Sequence, residues 1–116
     1  MTIMKWGKKK WKLNKKVIQS LEKLSYSMSY NVDDKKKEPV EITIPYAVYR
    51  ELGVNVKKEV NNWKKYLGET HGLYIGKKRF GPKRMKLVSV DVSDIMVAPK
   101  STIHTASISI TLREVK

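Results

Sequence analysis

The residues able to do chemistry are few and scattered. The two histidines, His71 and His104, lie far apart, and nothing near either supplies metal-ligand spacing. Both read as surface histidines. Asp91 and Asp94 could form a carboxylate pair, but three residues apart on a strand they point to opposite faces. They read instead as polar punctuation of a hairpin. Cysteine is absent, which removes thiol nucleophiles, disulfide scaffolds and every metal site that needs thiolate. GKKRFGPKR lacks both the Walker and the dinucleotide-binding patterns, and no serine sits on a sharp turn flanked by glycines. The expectation is a protein without enzymatic activity, metal or cofactor.

What stands out is charge. The chain of 116 residues has 25 Lys and Arg against 11 Asp and Glu, a formal net charge of +14. A field this positive attracts polyanions or acidic protein faces. Two clusters concentrate it. WGKKKWK sets Trp6 and Trp11 around three lysines. This segment is too cationic to pack inside, yet Trp6, Trp11 and Leu13 are too apolar to be left in water. Residues 1–14 are therefore expected to contact another subunit rather than the chain's own core. The second cluster runs from Lys77 to Lys86 and bends at Gly81-Pro82. It is expected to present Lys77, Lys78, Arg79, Lys83 and Arg84 to a partner, with Phe80 as an apolar anchor. Cations for phosphate and rings for bases also fit a module binding single-stranded DNA or RNA, the alternative reading.

The elements that must position these residues follow from periodicity. Residues 1–23 read as a basic arm, in which KKVIQSLEKL can form a short helix with Val17, Ile18, Leu21 and Leu24 on one side. Residues 24–116 read as one α+β domain. Leu24, Tyr26, Met28, Tyr30 and Val32 alternate with polar residues, which predicts a strand with one buried face. VEITIPY resumes the alternation, so 24–32 and 40–49 read as a hairpin, with Pro45 placing its N–H side at an edge or bulge. Asn55 caps a helix over 56–67 with Val56, Val60, Trp63 and Leu67 on one face, and Gly68 ends it. Trp63 is expected in the core. GLYIG is a short strand. A strand from Met85 to Val97 carries Val88, Val90 and Val92 on one face, APKS turns, and Ala106, Ile108, Ile110 and Leu112 alternate to the end. The sum is a mainly antiparallel sheet of about five strands, one main helix and a long C-terminal hairpin. The alternating faces exceed what one helix can cover, which argues for a module in a larger assembly. The start MTIMKWGKKKWK has no apolar h-region and no long apolar run occurs, so the chain is expected to be made in a cytoplasm and to leave it only by assembly or lysis.

From Leu52 to Val115 several features follow in order: LGV, an amphipathic helix centred on Trp63, LG, LYIGKKRFGP, a strand ending VSVDVSDI, and a final ASISITLRE. Ahead of them stands LEKLSYSMSYNVDD. This arrangement resembles small tail proteins of contractile-tailed phages and phage-tail-like bacteriocin particles, similar to U-type tail proteins and baseplate-hub proteins. Many hub relatives have a further peptidoglycan-binding repeat, whereas this sequence stops at the hairpin, so hub, tube ring and opposite tail end all stay open. The resemblance implies a structural subunit. Copies would form a ring, sixfold in such particles, at the tail tube or baseplate, against neighbouring tail proteins. The location implied is a virion or tail-like particle assembled in a bacterial cytoplasm.

Overall fold

The computed structural model describes residues 2–12, 20–21, 24–49, 55–98 and 102–115. The strands in chain order are β1 (Thr2–Trp6), β2 (Lys9–Lys12), β3 (Ser20–Leu21), β4 (Ser25–Ser27), β5 (Tyr30–Asn31), β6 (Lys36–Lys37) and β7 (Glu41–Tyr49). The helix α1 (Val56–Tyr66) comes next. It precedes β8 (Thr70–His71), β9 (Leu73–Ile75), β10 (Lys78–Arg79), β11 (Met85–Ala98) and β12 (Thr102–Glu114). Every described strand pair is antiparallel. The class is α+β as expected, and the main sheet runs β3-β7-β12-β11-β8, with β4 also on β7. Among the described residues no helix is long and apolar enough to cross a membrane.

The C-terminal hairpin is the spine. Ala106, Ile108, Ile110 and Leu112 are all buried, as their alternation requires. β7 lies along β12 from Tyr49↔Thr105 to Glu41↔Arg113 and adds Ile42, Ile44, Tyr46 and Val48 to the same core. The other edge of β7 takes β4 at 41–43 and β3 at 46–47, so its pairing skips Pro45. A residue without an N–H is tolerated at that gap.

β11 departs from strict alternation. Its register slips between Leu87 and Ser89, which makes Val88 an extra, bulged residue. Leu87 is buried, Val88 is exposed, and Val90 and Val92 pack partly against the core. The expected Val88–Val90–Val92 face therefore loses its first member to the bulge.

Two further corrections concern the first half. Of KKVIQSLEKL, only Ser20, Leu21 and Leu24 are described, and Ser20 and Leu21 pair with Ala47 and Tyr46 as a short strand. The rest of that helix expectation lies outside the described residues. The 24–32 run does pair with β7, but only over three residues, before a small β5–β6 ribbon takes over. Leu24 packs partly against the core, but the apolar members after it are exposed, Met28 to 72% and Val32 to 76%. The reason is that the chain leaves β7 after Ser27, so Met28, Tyr30 and Val32 lie off the main sheet, on or next to the separate β5–β6 ribbon.

α1 begins where expected. The Asn55 side chain accepts from the Lys58 N–H at 3.0 Å and satisfies one of the free donors of the first turn. The helix buries Val56, Glu59 and Trp63. Leu67 is its C-cap and is exposed, so it does not join Trp63 as the 3.6-residue spacing suggested.

The largest difference from expectation is at the N-terminus. β1 and β2 form a hairpin that pairs with β9, and β10 completes a four-stranded sheet in the order β10-β9-β1-β2. Both of its tight turns are Gly-Lys pairs, Gly7-Lys8 and Gly76-Lys77. The glycines have φ of 58° and 64° while the lysines that follow stay negative, the pattern of a type II′ hairpin turn.

Candidate functional site

Strand alternation decides the fate of WGKKKWK. On β1 and β2, Met4, Trp6, Lys9 and Trp11 face inward, while Lys5 and Lys10 face out. Trp6 is 1% and Trp11 0% exposed. They are therefore not partner-interface residues, and residues 2–12 are not an arm outside the domain. The segment packs inside because its cations alternate with its rings and leave on the opposite face. Leu13, the third residue expected at that interface, lies outside the described residues.

These rings build one aromatic core around Trp63. Trp6 stacks on it at 6.3 Å between centroids, Trp11 lies at 5.7 Å, and Tyr46 meets it edge-on at 6.3 Å. Trp6 Nε1 donates to the Met85 carbonyl at 3.1 Å. Trp11 Nε1 has no acceptor among the described residues.

A polar chain is enclosed by these rings, and sequence reasoning missed it. Trp63 Nε1 donates to the Tyr46 hydroxyl, which donates to Glu59 Oε1 at 2.7 Å. The same oxygen accepts from Lys9 Nζ. The Lys9 ammonium lies 5.4 Å from the Trp63 centroid and 5.9 Å from that of Tyr46, within cation–π range. Burial, reinforced by the charge and hydrogen bond of Glu59, pushes the Tyr46 hydroxyl far above its ordinary pKa. It therefore stays a donor. Breaking a buried ion pair by removing one partner costs about 3–5 kcal/mol, because the other charge is stranded. Glu59→Ala should lower stability by about that much in urea titration. Adding Lys9→Met should recover part of the loss, since it removes the stranded ammonium, while the cavity left by the Glu59 side chain and the lost acceptor of the Tyr46 hydroxyl remain.

The second basic cluster lies at the surface. Lys77, Lys78, Arg79, Lys83 and Arg84 are all exposed. Phe80 is a correction. It is half-buried against the chain's own core, meets Tyr26 edge-on at 5.3 Å, and its N–H donates to the Leu73 carbonyl at 2.7 Å. It serves to pin the loop to the domain rather than to anchor a partner.

His71 is half-buried rather than a free surface residue. Its ring meets Trp6 edge-on at 5.0 Å, and Nε2 is 2.9 Å from Glu69 Oε1. A side chain at Gly7 would run into this ring, with an added Cβ only 2.5 Å from it. Of His104, only the backbone, in β12, is described. Asp91 and Asp94 are both exposed on β11. Among the described residues no group of three or more His, Cys, Asp or Glu is gathered at metal-binding distance.

The long hairpin offers a different kind of site. Among the described residues, the outer edge of β11 is covered only at its start, by β8 at Met85 and Lys86 and by Glu69, whose carbonyl accepts from the Leu87 N–H. From Val88 to Ala98 this edge has no partner strand among the described residues. Asp94 takes a left-handed φ of 50° where the register with β12 slips. Next to this kink Ile95, Met96 and Val97 are 50, 62 and 64% exposed. Bulges re-aim side chains in this way. An open groove of about 420 Å³ runs beneath them, lined by Ala47, Thr105 and Ser107 among others. In comparisons with family models, curated proteins and solved structures, the chain matched none of them.

Proposed function

We propose that this chain is a structural subunit of a contractile phage tail or phage-tail-like particle, joining copies of itself in a ring at the tail tube or baseplate, with no reaction of its own. The observation that supports this reading best is the uncovered edge of β11. Proteins ordinarily blunt long edges with charged residues (lysine above all), proline, bulges or a covering element, and of these the β11 edge has its two aspartates and its irregularities at Val88 and Asp94. The segment 88–98 has neither lysine nor proline, and it exposes Ile95, Met96 and Val97. Such an edge accepts an added strand, with main-chain hydrogen bonds giving affinity. Its only charges are Asp91 and Asp94, in a chain of net charge +14. The acidic edge of one copy thus complements the basic surface of the next. An edge meeting a different surface on the neighbour is a heterologous contact, the kind that closes into rings. The resemblance of residues 52–115 to tail proteins points the same way.

Lysines on the edge test it. Val88→Lys with Ile95→Lys and Val97→Lys substitutes exposed positions, so the melting temperature should hold. Assembly, read by light scattering of the concentrated protein, should be lost. Assembly equal to that of the unsubstituted chain would remove the β11 edge from the account.

A further inference from the structure

The outward face of the four-stranded sheet has an order that its overall charge does not convey. Lys10 lies opposite Lys5, Lys5 opposite Tyr74, and Tyr74 opposite Arg79. Directly opposed residues share a face. One row thus crosses all four strands as Lys10, Lys5, Tyr74, Arg79, with strands about 4.8 Å apart. All four side chains are exposed, and Tyr74 is 40% accessible. A Cβ built on Gly72 would lie 3.2 Å from the Lys83 carbonyl oxygen and 3.5 Å from both Arg79 Cδ and a Tyr74 ring carbon, so the two side chains sit side by side over Gly72. The segments 2–12 and 73–79 that make this sheet contain eight basic residues and no acidic one. Among the described residues, no carboxylate pairs with Lys5, Lys10 or Arg79.

We infer that this face binds single-stranded nucleic acid, with Tyr74 stacking on a base and Lys5, Lys10 and Arg79 holding phosphates on either side. The inference stands on the sheet face and not on the β11 edge. An acidic protein surface would also meet the cations, but it gives no reason for a solvent-exposed ring at the centre of the row. A base supplies that reason, since every base has a π-face and aromatic stacking is tolerant of sequence. A duplex keeps its bases stacked and offers the ring nothing. The inward positions of the same strands hold Met4, Trp6, Trp11 and Leu73 in the core, so the platform is rigidly backed.

Fluorescence anisotropy of a labelled oligothymidylate with the full chain tests this. Tyr74→Ala should weaken binding about tenfold or more, the scale of one lost base stack, while Tyr74→Trp restores it. Lys5→Ala with Lys10→Ala should lower the slope of log affinity against log salt by roughly 0.7 for each phosphate contact removed. Lys57→Ala with Lys64→Ala, on the exposed side of α1, removes equal charge elsewhere and should change affinity much less. Unchanged melting temperatures for these exposed substitutions keep the comparison clean. Three results would overturn the inference: equal affinity for a duplex or for polyglutamate, full binding by Tyr74→Ala, or an equal loss from the helix pair.

Discussion

Removing residues 1–12 should leave a chain that no longer folds. These residues supply Met4, Trp6 and Trp11 to the core and Lys9 to the buried Glu59 carboxylate. Losing one buried tryptophan side chain costs about 3–5 kcal/mol, and a domain of this kind has only about 5–15 kcal/mol in total. Two tryptophans and a stranded carboxylate, about 9–15 kcal/mol together, take up most or all of that reserve. β9 would also lose its neighbour in the four-stranded sheet. Trp11→Ala alone should fold with about 3–5 kcal/mol less stability in a urea titration. Far-UV circular dichroism with a thermal melt checks the truncation. A cooperative melt near that of the full chain would mean that the hairpin is an appendage after all.

Trp63→Ala should be the most damaging single substitution. Its ring contacts Trp6, Trp11, Tyr46 and Tyr66, and its indole N–H closes the polar chain to Glu59. The substitution opens a cavity at the junction of helix, hairpin and main sheet, and it leaves the Tyr46 hydroxyl short of one donor. The expected loss is at the upper end of about 3–5 kcal/mol, enough to make the protein aggregate at 37 °C. Trp63→Phe should keep most of the packing and lose only part of that. A Trp63→Ala protein with an unchanged melting temperature would contradict the packing described.

The second half of the chain was legible because its periods are long. Four inward residues on β12 and the stripe Val56, Val60, Trp63 on α1 have few alternative arrangements. The first half was not, for identifiable reasons. Alternation over 24–32 reports a strand but not whether its apolar face meets protein or water, and here most of the run leaves the main sheet for the β5–β6 ribbon. In MKWGKKKWK the lysines masked a second alternation. Met4 and Trp6 before Gly7, and Lys9 and Trp11 after Lys8, are the inward positions of a two-residue hairpin. Read with the Gly-Lys turn as its centre, that pattern marks a strand pair with a dry face. Glu59 carried a signal too. It lies three residues after Val56 and four before Trp63, on the apolar side of its helix, where a carboxylate must find a partner. That the partner is Lys9, fifty residues away in sequence, depends on a tertiary contact that local patterns do not report. The surface row through Tyr74 depends on strand register and was invisible for the same reason.

The claim that copies of this chain assemble through an open strand edge meets its most direct test in the mass of the purified full chain across a wide concentration range. Light scattering and mass photometry should find a discrete closed oligomer, a fixed multiple of 13.5 kDa, that persists in high salt because main-chain pairing and apolar contact hold it. A chain that stays at 13.5 kDa at every concentration, with the Val88–Ala98 amides exchanging as fast as those of an uncovered edge, would contradict it.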